Sequence, residues 1–204
     1  MLSLALATLL LQGCGMMLVG GAATTAGMVH DRRSAGTIID DNALELKVLN
    51  TIRQTKMLAD NSHVSATGQK YIRTPFGTFL LTGEAYNENI RQHITAAVER
   101  IPGVRQVRNQ LVIGRRSTFM ERAYDSKQTA KVKSALLDVK IAGFDPTRVK
   151  VVTEHGYTYL LGIVSEEEAQ AAVDIARRVS GVKEIVSMFE IVNNPAATTL
   201  GGNI

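Results

Sequence analysis

The chain has 204 residues, of which 45% are hydrophobic and 21% charged, a composition typical of a globular protein and unlike that of a disordered one. Its formal net charge of +4 is too small to identify a partner by itself. The single cysteine excludes an internal disulfide framework and a cysteine-based zinc site, and the wide spacing of His30, His63, His93 and His155 argues against a histidine-cluster metal site.

The chain begins with an uncharged apolar run at residues 1–11. Spanning a bilayer takes about 20 residues, so this run has the length of a signal-peptide core instead. The next residues complete the sequence Leu11-Gln12-Gly13-Cys14, which resembles the bacterial lipobox. We therefore predict a lipoprotein signal peptide at residues 1–13 and covalent acyl and diacylglycerol lipid on Cys14. An ordinary secretory signal with a coincidental cysteine is the alternative.

Residues 14–39 form a predicted tether between the lipid and the folded part of the chain. Small residues predominate as far as Gly27, which is typical of a flexible segment, and Asp31-Arg32-Arg33-Ser34 ends the stretch. Glycine rather than aspartate follows Cys14, which favours the outer membrane over the inner one.

Two blocks of sequence occur twice in the same order. Residues 77–83 (GTFLLTG) match residues 156–162 (GYTYLLG), and residues 101–107 (IPGVRQV) match residues 179–185 (VSGVKEI). The repeat of about 75 residues is long for a solenoid unit and indicates two small domains in tandem. We place them at residues 40–113 and 122–192, with a linker at 114–121 and a flexible tail at 193–204.

In the first unit, a helix begins at Asp40 or Asp41 and buries Leu44, Val48 and Ile52 along one face. Two strands follow at residues 71–74 and 78–82, then a helix at 87–101 and a strand at 104–113. His63 and His155 are both expected in or beside loops.

The second unit repeats this order. Asp125 or Ser126 caps its first helix, which carries an apolar stripe formed by Val132, Ala135, Leu136 and Val139. Strands at 148–153 and 157–161 enclose a turn at 154–156, Ser165 and Glu168 form the capping box of the second helix, and a strand follows at 185–192. Each α-β-β-α-β unit is therefore predicted as an α+β two-layer sandwich, with two helices on a three-stranded mixed sheet.

The lipobox, the Asp31-Arg32-Arg33-Ser34 end of the tether, the Asp40-Asp41 helix start and the paired glycine motifs together resemble the dual BON-domain outer-membrane lipoproteins. The resemblance covers essentially the whole chain and is to the lipid-binding type associated with cell division and outer-membrane stress. It implies a lipid-anchored protein on the periplasmic face of the outer membrane of a Gram-negative bacterium. It further implies binding to anionic phospholipid through the second BON domain, and support of outer-membrane integrity.

The basic residues are concentrated at the start of the second unit. Residues 115–151 carry nine Lys or Arg against four Asp or Glu, net +5, whereas residues 152–192 are net −4. We predict lipid contact on the first helix of this unit, through Tyr124, Lys127, Lys131 and Lys133. The resemblance implies a large aromatic side chain near this helix start that enters the bilayer; Lys127 occupies the aligned position, with Tyr124 one turn before it. The alternative is that these lysines only flank the buried stripe of an ordinary surface helix.

No catalytic triad, dinucleotide-binding motif or phosphate-binding loop occurs in the sequence, so we expect neither an enzyme nor a small-molecule substrate. We expect no metal, no cofactor beyond the lipid on Cys14 and no nucleic-acid partner. The remaining alternative function is a protein-interaction adaptor for outer-membrane assembly or division-site machinery. The acidic first helix of the first unit favours such a partner there, because it should be repelled by anionic lipid.

Overall fold

The computed structural model describes residues 35–69 and 77–193. Several predicted features lie outside the described residues: the signal peptide, the lipidation site at Cys14, most of the tether, the strand at residues 71–74 and nearly all of the tail. Within the described ranges, no helix combines the length and the apolar character needed to cross a membrane.

The first domain contains a four-stranded mixed sheet covered by helices. The elements are α1 (Ala35–Gln54), α2 (Lys56–Asp60), β1 (Ser62–Gln69), β2 (Gly77–Ala85), α3 (Glu88–Glu99), β3 (Val104–Asn109) and β4 (Val112–Ile113). β2 lies in the centre, antiparallel to β1 and parallel to β3, and the short β4 pairs with β2 on the same side as β3.

The second domain has the same arrangement, with β6 antiparallel to β5 and parallel to β7. Its elements are α4 (Phe119–Ala135), two 3-10 turns (Leu136–Asp138 and Pro146–Arg148), β5 (Lys150–Glu154), β6 (Tyr157–Val164), α5 (Glu166–Arg177) and β7 (Glu184–Ile191). The predicted pair of α+β two-layer sandwiches is therefore confirmed.

Each domain has its own hydrophobic core between helices and sheet. In the first, Val48 and Ile52 of α1 are buried against Phe79 and Leu81 of β2, as the helical periodicity predicts. In the second, the buried face of α5 consists of small residues, Ala169, Ala172 and Ala176, which allow the helix to approach the sheet closely. Ser165 and Glu168 form the predicted capping box of this helix.

The partner of β2 differs from the prediction. β2 pairs with β1 in a register that runs from Ser62 opposite Ala85 to Gln69 opposite Thr78, so its neighbour is not the segment at residues 71–74. His63 consequently lies within a strand and not beside a loop, whereas His155 does lie in the turn between β5 and β6. β1 is hard to recognise because only Val64 and Ala66 pack against the core, between short polar side chains.

Helix α4 begins earlier than the sequence suggested. Thr118 is its N-cap, and the Thr118 hydroxyl and the Glu121 carboxylate form a reciprocal capping box. The prediction that Asp125 or Ser126 caps this helix is therefore wrong. α4 starts within the segment assigned to the linker, and Asp125 is instead buried one and a half turns into the helix.

Gly83 and Gly162, which end the repeated motif, hold the same place in their domains. A side chain at Gly83 would place its Cβ 2.1 Å from the His63 carbonyl oxygen, and one at Gly162 would place it 2.4 Å from the Arg148 carbonyl oxygen. Only glycine permits this approach of neighbouring backbones, which explains why both repeats carry it.

The two sheets pack against each other through the faces that their helices leave uncovered. Leu80 of β2 is buried with Tyr159 and Leu161 of β6, and Val152, Val186 and Met188 surround them. The resulting order of layers is helices, sheet, sheet, helices, so the helices lie on the outside of the molecule.

A polar contact joins the domains beside this third core. The Lys150 ammonium donates to the carbonyl oxygen of Gly68 at 2.7 Å and lies 3.4 Å from the Glu45 carboxylate, which itself accepts from the Gly68 amide at 2.7 Å. Arg116 in the connection between the domains donates to the carbonyl oxygen of Ala59 at 3.1 Å. These contacts fix the second domain on the first.

Candidate membrane-binding surface

Helix α4 buries one face and presents a large apolar group on the other. Asp125, Gln128 and Val132 point inward, where Val132 joins the core of the second domain. Away from this face, the exposed fractions are 75% for Phe119 and 73% for Met120. Tyr124 borders the buried face, with its hydroxyl group beside Gly181, and is 52% exposed. Exposed large apolar side chains that lie together on one helical turn and a half are typical of an interaction surface.

Lysines continue this exposed face toward the end of the helix. Lys127 and Lys131 follow Met120 and Tyr124 at helical spacing, so the four side chains form one stripe, whereas Lys133 lies on the opposite flank. The Lys131 ammonium is 3.4 Å from the carbonyl oxygen of Ser180, and all three lysines are exposed. We call Phe119, Met120, Tyr124, Lys127, Lys131 and Lys133 the α4 surface.

Several cations counted in the +5 segment are not available to a partner. The Arg115 guanidinium makes two hydrogen bonds, of 2.6 and 2.8 Å, to the Glu121 carboxylate and holds the pKa of that carboxyl well below its usual range. Lys150 is bound in the domain interface, and Arg148 lies 3.7 Å from Glu168. The Arg122 guanidinium donates to the carbonyl oxygen of Ser117.

The lysines of α4 are not bound to carboxylates of the protein in this way. In the described part of the chain, neither Lys127 nor Lys133 takes part in an ion pair. Exposed positive charge is therefore available to an external anion on α4, on the same helix as the exposed apolar side chains.

The structure brings three of the four predicted lipid-binding residues, Tyr124, Lys127 and Lys131, onto one stripe and places Lys133 on the opposite flank of the helix. The sequence reasoning missed Phe119 and Met120 because it started the helix after them. A signal was present: Thr118-x-x-Glu121 is a capping-box pattern and predicts a helix that begins at residue 119.

The arrangement can dock on a surface that is apolar inside and anionic outside. Phe119 and Met120 lie at the first turn and have the reach to enter an apolar layer, while lysine stems lie along such a layer with their ammonium groups at its charged edge. The exposed large apolar residues described in the first domain lie on α1, on α2, after β2 and on β4, so they do not form an equivalent group on one helix; they are Leu46, Met57, Tyr86, Val112 and Ile113.

Comparison with known proteins identifies the family. The BON domain matches residues 40–115 and again residues 124–193. Outer membrane lipoprotein DolP of Haemophilus influenzae is 35% identical over 188 residues, which cover 92% of this chain and 93% of that protein. The 21 kDa hemolysin of Actinobacillus pleuropneumoniae is 30% identical over 165 residues, 79% of each chain. The chain therefore belongs to the BON-domain family and is a dual BON-domain outer-membrane lipoprotein.

Proposed function

We propose that this lipoprotein binds anionic phospholipid through the α4 surface of its second BON domain, while lipid on Cys14 anchors it to the periplasmic face of the outer membrane, and that this binding supports outer-membrane integrity. The observation that carries the proposal is the position of exposed Phe119, Met120 and Tyr124 directly beside lysines that are not used in ion pairs. Phospholipid is the partner that matches both halves of this surface.

The energetics suit a protein that is already tethered. Each lysine near an anionic membrane contributes about 1 kcal/mol, so Lys127, Lys131 and Lys133 together give roughly 3 kcal/mol. Such an interaction is weak for a free protein but becomes effective when an anchor raises the local concentration of the surface at the bilayer.

A vesicle assay tests the proposal on a chain that begins at Gly15, which lacks the anchor and retains every described residue. We expect it to sediment with phosphatidylglycerol vesicles at low salt, to bind less at high salt and to ignore phosphatidylcholine vesicles. Lys127→Glu combined with Lys131→Glu should reduce binding at least tenfold, because two attractive charges become repulsive.

The matched control is Lys47→Glu combined with Lys56→Glu, which makes the same change of charge on exposed positions of the first domain. This control should bind like the parent. Equal loss in both double variants would show that binding depends on net charge alone, and absence of binding by the parent would refute lipid recognition. Cys14→Ala in the full chain tests the anchor separately and should release the protein from membranes.

A protein-interaction adaptor remains the second candidate function, and one observation favours it. A cleft of about 410 Å³ opens between α2 and α3 of the first domain. Its lining is mostly apolar and includes Met57, Leu58, Ala96 and Ala97. If cells that carry Lys127→Glu and Lys131→Glu keep normal resistance to detergent while Ala96→Glu cells lose it, the adaptor function accounts for envelope integrity instead.

A further inference from the structure

A carboxylate at the centre of the domain interface meets two histidines. Glu84 of β2 is 1% exposed and points away from the core of the first domain. Its Oε1 lies 2.8 Å from Nε2 of His155 in the second domain, and its Oε2 lies 3.4 Å from Nδ1 of His63, its cross-strand partner on β1. His63 and His155 therefore both lie next to Glu84, although they are far apart along the chain.

These atoms are close together but are not aligned as hydrogen bonds. Among the residues that the structure describes, both Glu84 carboxylate oxygens, His63 Nδ1 and His155 Nε2 are buried without a hydrogen-bond partner. A buried carboxylate normally accepts several hydrogen bonds, because removing a charge from water is costly. The arrangement thus leaves four buried polar atoms close to Glu84 without a hydrogen-bond partner.

Glu154 adds a second carboxylate to this point. Glu84, Glu154 and His155 each place a ligand atom within 4.8 Å of the others. Two carboxylates held this close together are unfavourable unless a proton or a bound cation neutralises one of them.

The turn that carries two of these side chains is held rigidly. His155 and Gly156 both have positive φ, +54° and +81°, as in a type I′ hairpin turn. The buried Asp125 carboxylate of α4 accepts from their amides at 2.9 and 3.2 Å. Asp125 therefore acts as a positioning residue that holds the backbone of the turn carrying His155.

We propose that Glu84, Glu154 and His155 bind one divalent transition-metal cation of the Zn²⁺ class across the domain interface, with His63 next to the fourth position. Two carboxylate oxygens and an imidazole nitrogen form a donor set that suits Zn²⁺, whereas the imidazole disfavours Ca²⁺ and Mg²⁺. Ligand atoms about 2.1 Å from a tetrahedral Zn²⁺ lie roughly 3.4 Å from one another, so a bound ion requires Glu84 Oε1 and His155 Nε2 to move apart from their present 2.8 Å.

A cation at this point would connect the two domains. Glu84 belongs to the first domain and Glu154 and His155 to the second, so the bound state requires the sheet-to-sheet packing described above. The site therefore couples metal availability to the arrangement of the domains. The lipid-binding proposal neither requires nor predicts this coupling.

The test uses the full chain, purified in mild detergent, loaded with Zn²⁺ and dialysed against metal-free buffer. We expect elemental analysis to find one Zn²⁺ per chain, and titration calorimetry to give the same stoichiometry. Glu154→Gln and His155→Asn should each weaken binding at least tenfold; asparagine is chosen because it tolerates the positive φ at this position.

His93→Asn is the matched control, because His93 is exposed on α3 and its ring forms a hydrogen bond of 2.8 Å with the carbonyl oxygen of Asn89 in the same helix. It should retain Zn²⁺ like the parent. No Zn²⁺ on the parent, or equal retention in the parent, Glu154→Gln and His155→Asn, would overturn the proposal and leave Glu84 and His155 as an ion pair. Circular dichroism identifies any variant that fails to fold, and the other variant then decides.

Discussion

The contact between Lys150 and Glu45 offers a direct test of how the two domains pack, because one residue comes from each domain. The Lys150 ammonium lies 3.4 Å from the Glu45 carboxylate, and both atoms are bound to the backbone of Gly68. A double-mutant cycle that combines Lys150→Met with Glu45→Gln isolates the energy of this pair. Methionine retains most of the apolar stem of lysine, and glutamine retains the shape of glutamate.

The size of the effect follows from the exposure of the pair. A hydrogen bond or ion pair between charged groups contributes about 1.5–3 kcal/mol when well shielded. The Lys150 and Glu45 side chains are 27% and 24% exposed, so solvent screens part of this energy. We expect a coupling energy of about 1–2 kcal/mol.

Urea unfolding of the parent, both single variants and the double variant measures this coupling. The control cycle replaces Lys150→Met with Lys133→Met, since Lys133 is exposed on α4, and should give a coupling within about 0.5 kcal/mol of zero. A coupling below about 0.5 kcal/mol for Lys150 with Glu45 would refute the sheet-to-sheet arrangement.

Three further experiments test the interdomain core, the turn after β5 and the capping box of α4. Leu80→Ala in the interdomain core should cost about 2–5 kcal/mol of unfolding free energy, whereas Leu137→Ala at an exposed position should change it by less than about 0.5 kcal/mol. Asp125→Ala removes the acceptor of two backbone amides and should lower the free energy of unfolding by about 2–3 kcal/mol. If this decrease is smaller than that caused by Leu137→Ala, Asp125 does not hold the turn. Hydrogen bonds from Arg115 lower the pKa of Glu121. The ionised Glu121 carboxylate therefore stabilises the folded state at pH values above the usual carboxyl pKa, and this stabilisation is lost as the pH falls through the lowered pKa. Glu121→Gln should therefore lower the melting temperature at pH 7 and have progressively less effect in acid, and an effect that grows in acid would refute this sign.

Periodicity and capping predicted the parts of the fold that depend on local sequence. The apolar spacing of Val48 and Ile52, and the capping box of Ser165 and Glu168, each specify a helix with little help from the rest of the chain. The repeated glycine motif identified two equivalent domains because the close backbone approach it serves occurs once in each sheet.

The packing between the domains could not be predicted in the same way. Tyr159-Leu160-Leu161 is a continuous apolar run, which is a sign of a strand buried on both faces, but the run does not say what covers the second face. Glu84 and His155 lie far apart in sequence, so only the docking of one sheet on the other reveals their contact. Residues that only tertiary packing brings together have no characteristic spacing along the chain, so the sequence does not reveal such a cluster.

The candidate membrane surface was predicted in part, and the limit was the start of one helix. The lysines were found from their charge, but Phe119 and Met120 were assigned to a linker because the capping box at Thr118 was overlooked. Exposure itself is also invisible in the sequence, since an apolar residue in an amphipathic helix is normally expected to face inward.

Entry of Phe119 into an anionic bilayer is the central claim, and the absence of tryptophan from the chain makes it directly measurable. Phe119→Trp places a single fluorophore at the apolar end of the α4 surface, and Leu46→Trp places one at an exposed apolar position of α1. With phosphatidylglycerol vesicles and the chain from Gly15, we expect the emission of the Phe119→Trp variant to shift to shorter wavelength and to be quenched by brominated acyl chains. The emission of the Leu46→Trp variant should not change. Unchanged emission from Phe119→Trp, or equal quenching of both variants, would contradict binding through α4.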